Sequence, residues 1–96
     1  LGRDGGLLLP DTLPRVDRTV LNSWRNLSYQ YLAQDILARF MDDIVRPDLE
    51  VLVEESYSTF SHPQVTPVRQ VGPLYVLELF HGPTLAFKDI ALQFLG

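Results

Sequence analysis

The chain contains no cysteine, which excludes a disulfide scaffold and thiolate metal ligation. Its two histidines, His62 and His81, stand far apart and in no metal-ligand spacing, so no zinc site is expected. No cluster of lysine and arginine is present and the formal net charge is −4, so the basic footprint of a nucleic-acid-binding protein is missing. Apolar runs are only a few residues long, far short of the roughly 20 that a membrane-spanning helix needs. The opening "LGRDGG" has neither an initiator methionine nor a signal-peptide pattern, and the expectation is a piece that begins inside a longer protein. Internal repeats, low-complexity tracts and a GxGxxG phosphate cradle are all absent.

What remains is globular in character. Hydrophobic residues make up 46% and charged residues 21%, enough apolar matter to drive folding, and 96 residues allow one domain at most. "DGGLLLPDTLP" has Gly5-Gly6, the run Leu7 to Leu9, then Pro10 and Pro14, which predicts a turn, a short strand and an irregular connection. Val20 to Trp24 fits a turn of helix or a loop. In "LSYQYLAQDILARFMDDI", Tyr29, Leu32, Ala33, Ile36, Leu37, Phe40 and Ile44 recur at helical spacing. Ser28 suits the N-cap of that helix, with Leu27 and Leu32 as a hydrophobic staple. Asn26-Leu27-Ser28 also matches a glycosylation sequon, a match that is accidental if Ser28 caps a helix in a non-secreted protein.

A second helix fits "RPDLEVLVEESYSTF". Pro47 suits its first position, and Asp48 and Glu50 place negative charge at the positive end of its dipole. Leu49, Val53, Tyr57 and Phe60 line one face, with Leu52 beside them. Burial is expected for Ile36, Phe40, Val53 and Tyr57. "VRQVGPLYVLELF" reads as two strand-like runs around Gly72-Pro73, and Leu74 to Phe80 is apolar enough for a strand buried on both faces. His81-Gly82-Pro83 breaks it. Thr84 is then the expected N-cap of a final helix in which Phe87, Ile90, Ala91, Phe94 and Leu95 keep helical spacing up to a C-cap glycine, Gly96.

This arrangement places Lys88 about four residues into the final helix, where the helix dipole and burial both disfavour an ammonium group. One reading is a lysine whose stem packs while its amine reaches water. The other is a residue tuned to present a free amine for carbonyl chemistry. Phe87 fits plain core or the wall of a cofactor ring. His81 fits a turn residue or an acid–base group, Thr84 a cap or a minor anion contact, and Asp89 the solvated outer face or the orientation of a partner.

The stretch "LELFHGPTLAFKDIALQFLG" resembles the lysine motif of threonine synthases and threonine synthase-like proteins. "DGGLLLP", the helices "LSYQYLAQDILARFM" and "LEVLVEESYSTF", and the lead "TPVRQVGPLYVLELFHGPT" resemble other elements of that family, so the likeness covers most of the chain. The resemblance implies an α/β fold of type II pyridoxal 5′-phosphate (PLP) enzymes, of which residues 1–96 would be an N-terminal, locally α+β fragment. Residues 1–67 would be its mostly helical part, and residues 68–96 the first buried strands, the HGPT turn and the lysine helix. It implies PLP held by Lys88, with Phe87 against the cofactor and Thr84 and His81 as weaker substrate contacts. It also implies a lyase that eliminates phosphate from O-phosphohomoserine or O-phosphothreonine. The products would be a 2-oxo acid and ammonia in a phospho-lyase, toward which the motif leans, or threonine in a true synthase.

The family's phosphate-cradling loop would lie beyond Gly96. The isolated 96 residues are therefore expected to be inactive, to bind PLP weakly and to self-associate. The compartment expected for such an enzyme is cytoplasmic or mitochondrial. The contrasting reading is a truncated, non-enzymatic product acting as an interaction or secreted signalling protein.

Overall fold

The computed structural model describes all 96 residues, 1–96. Three helices come first: α1 (Arg18–Trp24), α2 (Tyr29–Ala38) and α3 (Arg46–Tyr57). An antiparallel hairpin of β1 (Val68–Val71) and β2 (Leu74–Leu77) follows, and α4 (Asp89–Leu95) closes the chain. The α+β character read from the sequence is what the chain adopts. Leu7 to Leu9 form no strand and lie exposed, beyond a turn in which Asp4 Oδ1 accepts the Gly6 N–H at 2.9 Å.

Local chemistry accounts for the helix starts. The segment Val20 to Trp24 is helical because the Asp17 side chain accepts the Val20 N–H at 2.9 Å, satisfying a donor that the first turn leaves unpaired. Ser28 caps α2 in the same way, accepting from Tyr31 N–H at 3.3 Å. No side chain caps α3; its first turn has Pro47, whose fixed φ suits that place, and Asp48 at the positive dipole end. Asp35 on α2 ties three helices together. Its carboxylate accepts from Trp24 Nε1 at 2.7 Å and from Arg46 at 3.0 Å, and these two bonds hold its pKa below the usual value.

The core is small and centred on α3. Leu49, Val53, Tyr57, Phe60 and Val65 are its buried hydrophobic residues, flanked by Tyr29, Ala33 and Leu37 of α2 and by Ile90 and Phe94 of α4. Tyr57 is the hinge of this packing. Its ring meets Tyr29 edge-on at 5.1 Å, and its hydroxyl donates to the Ile90 carbonyl at 2.8 Å, which bonds α3 to α4. Burial, reinforced by Tyr29, pushes the Tyr57 hydroxyl up to about 12, so it stays a neutral donor.

Two of the expected buried positions are exposed. Ile36 is 37% and Phe40 52% accessible: Tyr29, Ala33, Leu37 and Ala38 are the α2 residues packed on the core, Ile36 lies off that side, and Phe40 lies past the end of the helix, which stops at Ala38. The second departure concerns the hairpin. Its register pairs Val68 with Leu77, Gln70 with Tyr75, Arg69 with Val76 and Val71 with Leu74, so apolar side chains stand on both faces. Every residue of both strands is nevertheless exposed in this chain, which has no element packed over either face.

The surface measures the same openness. The accessible area is 7823 Å², against roughly 5,600 Å² for a compact monomer of this size. The radius of gyration is 15.2 Å, where about 13 Å is usual for 100 residues. The excess of roughly 2,200 Å² is the area of a substantial protein interface.

The two sides of α3 predict opposite outcomes. Leu49→Ala removes a side chain with no exposed surface and should cost ~2–5 kcal/mol. Val51→Ala, on the exposed side, should cost under ~0.5 kcal/mol. Denaturant unfolding of both variants checks the difference.

Candidate functional site

The residues singled out in the sequence lie along the turn that joins β2 to α4. Beyond Leu77 the chain continues in the direction of the strand, with the Glu78 N–H donating to the Pro67 carbonyl at 2.9 Å. His81 is fixed at two points. Its carbonyl accepts from Ser61 N–H at 2.9 Å and Ser61 Oγ at 3.3 Å, and its Nε2 lies 2.9 Å from Glu78 Oε1. Arg69 stands 3.8 Å from the other oxygen of Glu78, and the His62 ring lies 5.0 Å from that of His81. The two histidines that the sequence separates are thus neighbours, and no cluster of three ligand-type side chains suited to a metal ion forms around them.

The turn then tightens around Asp89. Gly82 is buried and packs directly on the Asp89 side chain, so that a Cβ at position 82 would collide with it. Thr84 donates twice to the same carboxylate: its N–H to Oδ2 and its hydroxyl to Oδ1, each at 2.8 Å. Leu85 between them has φ +61, a left-handed conformation that a leucine adopts only when its surroundings hold it there. Asp89 is 3% exposed, and burial raises the cost of its charge. Hydrogen bonds from Thr84, first its hydroxyl and then its N–H, outweigh that cost and hold the carboxyl below its usual range.

Helix α4 therefore starts later than the sequence predicts. It begins at Asp89, Lys88 is the residue just before it, and Thr84 caps nothing, because its hydroxyl is turned onto Asp89. Lys88 is not four residues into a helix, and its side chain is exposed in this chain. Asp89 does not lie on a solvated face; it is the buried centre of the turn. The signal in the sequence was the pair Thr84 and Asp89, five apart where a capping box has three.

Lys88 is the chain's single lysine and takes part in no ion pair or side-chain hydrogen bond. It opens onto a groove of about 380 Å³ lined otherwise by Leu79, Phe87, Ile90, Ala91 and Leu92. The lining is apolar throughout, and Lys88 contributes to it the carbon stem of its side chain. An apolar wall beside an exposed primary amine suits a planar heteroaromatic aldehyde. Phosphate donors are not part of this lining. The groove collects Phe87 and Lys88; Thr84 and His81 lie outside its lining, in the turn that supports it.

The sequence model of the family described as "Threonine synthase N terminus" matches residues 1–57. The chain belongs to that family. Among curated relatives it is 48% identical over 104 residues to the threonine synthase of Eremothecium gossypii and 38% identical over 96 residues to threonine synthase-like 2 of Xenopus laevis. These alignments cover 100% and 97% of the chain and 20% of each relative. Two solved structures superpose with a TM-score of 0.91: PLP-bound threonine synthase from Brucella melitensis, 45% identical, and threonine synthase from yeast, 48% identical. They match 97% and 99% of the chain, and the chain covers 20% of each. This member of the threonine synthase N-terminus family thus spans about a fifth of the length of the relatives it matches.

The buried carboxylate makes a prediction about acid. The Asp89 pKa is lowered in the folded chain relative to about 3.9 unfolded. The unfolded chain therefore takes up the proton more readily. The stability that Asp89 contributes is present above about pH 4 and is lost as the pH falls through the folded value. Denaturant titrations between about pH 3 and pH 7 should show this acid-dependent loss, and Asp89→Asn should show a smaller one.

Proposed function

We propose that this chain is the N-terminal part of a PLP-dependent enzyme of the threonine synthase type, which eliminates phosphate from a phosphorylated amino acid such as O-phosphohomoserine or O-phosphothreonine. The observation that carries the reading is the unpaired amine of Lys88, set against an apolar groove at the end of the HGPT turn. Membership of the family and the likeness to a PLP-bound threonine synthase support it.

When bound, PLP supplies an electron sink for the carbon next to the substrate's amino group. Lys88 Nζ is the group that would hold the cofactor and, as a free amine, would serve as the base that moves a proton. Phe87 and Leu79 would present an apolar surface to one face of the cofactor ring. His81 and Thr84 are the weaker substrate contacts, since the ring of His81 already lies against Glu78 and the hydroxyl of Thr84 donates to Asp89. Identities of 40–49% to threonine synthases and 38–41% to threonine synthase-like 2 proteins overlap, so they favour neither threonine nor a 2-oxo acid, and the lean toward a phospho-lyase rests on the wording of the lysine motif. Release of a 2-oxo acid and ammonia is the phospho-lyase alternative.

The test is chemical and uses the full-length protein. Borohydride should fix PLP to Lys88, as peptide mapping reads, and Lys88→Ala should lower phosphate release by at least about 10³-fold with the fold intact. Turnover of Lys88→Ala near the wild-type rate would overturn the assignment.

A further inference from the structure

We propose that Asp89 is a positioning residue for Lys88: with Gly82 and Thr84 it forms a latch that fixes where α4 begins and hence where Lys88 leaves the backbone beside the apolar groove. The proposal rests on the reading of Lys88 as the cofactor lysine.

Both oxygens of Asp89 are engaged, and both bonds run backwards across the turn. Oδ2 accepts the Thr84 N–H and Oδ1 the Thr84 hydroxyl, each at 2.8 Å, while Gln93 Nε2, one turn further along α4, lies 3.5 Å from Oδ1. The Asp89 N–H donates to the Ala86 carbonyl at 3.0 Å, and the Leu85 N–H to that of Gly82 at 3.1 Å. Residues 84 to 89 thereby form a ring closed by the Asp89 side chain, with Lys88 as the last residue before the closure. Gly82 packs against the outside of the ring, where a larger residue would force Asp89 away. Inside it, Leu85 is held at φ +61. With the closure removed, only the backbone bonds of Leu85 to Gly82 and of Asp89 to Ala86 hold Leu85 at positive φ, and its relaxation to negative φ would shift the backbone that carries Lys88.

Two simpler roles account for less. As a counter-ion, Asp89 would pair with its neighbour, but no ion pair with Lys88 forms and the carboxylate faces the turn. As mere negative charge at a helix start, it would be content in solvent, whereas it is 3% exposed. A buried carboxylate with two short bonds to one residue is a geometric device.

The experiment compares full-length wild type with Asp89→Ala, Asp89→Asn, Thr84→Val and the control Lys88→Ala. It reads kcat, KM, the rate at which added PLP becomes fixable to Lys88 by borohydride, and folded content by circular dichroism. Asp89→Ala should lower kcat and the capture rate by at least about tenfold per folded molecule, as a displaced reacting group does. Asp89→Asn keeps an acceptor for the Thr84 N–H and should recover most of that loss; Thr84→Val should lose severalfold. Wild-type kcat and capture rate per folded molecule in Asp89→Ala would overturn the latch, as would an activity loss that only tracks folded content. If Asp89→Ala does not fold, Thr84→Val decides through the PLP capture rate, which the loss of a substrate contact does not move; an unchanged capture rate counts against the proposal. Failure of the underlying reading shows elsewhere, as PLP fixed to a residue other than Lys88 in the wild type.

Discussion

The carboxylate of Asp89 reaches back across five residues to the amide and hydroxyl of Thr84, and the lysine-bearing end of the chain takes its shape from that closure. A carboxylate with this little solvent is tolerable only when its oxygens are satisfied, which makes the surrounding turn obligatory rather than incidental. Gly82 gives it room, Leu85 bends for it, and α4 starts where it stops. Tyr57 then anchors the start of α4 to α3 through the Ile90 carbonyl, so the turn and the small core are mechanically one unit.

Around that unit the chain is unfinished in a physical sense. Five buried hydrophobic residues form its core, while the hairpin shows apolar residues on both faces and Phe80, Leu85, Phe87 and Leu95 are exposed. Alternation of this kind, apolar on both sides of the same strands, belongs to a sheet with neighbours on both faces. The open area is of the size that a large interface covers. The groove at Lys88 has the same character: an apolar wall that is open on its other side.

Much of this was legible in the sequence, and the reasons are particular. Helix α2 was readable because Ser28 is a cap and the apolar spacing behind it is regular, and α3 because its buried residues fall on one stripe. The hairpin turn was readable from Gly72-Pro73, whose glycine takes φ +60. Three features were not. Ile36 and Phe40 share the apolar spacing of α2, but contact geometry decides which part of a wide stripe meets α3, and the helix stops at Ala38, before Phe40. The start of α4 lies later than the cap-like Thr84 suggests, and nothing local says that its hydroxyl turns to a residue five positions on. The approach of His62 to His81 is tertiary, set by the bond between Ser61 and the His81 carbonyl. Lys88 stands out in the sequence as the single lysine within its motif; its place before α4 and the closure beneath it do not.

The account holds that these 96 residues encode the amine, its apolar wall and the closure beneath them, and that the rest of the cofactor site lies in other residues. Equilibrium titration of the purified 96-residue chain with PLP, followed by absorbance and joined to sedimentation, tests this most directly. The result predicted is weak, non-saturating binding by a chain that self-associates through its open apolar faces. Stoichiometric, Lys88-dependent binding of PLP by a stable monomer would contradict it.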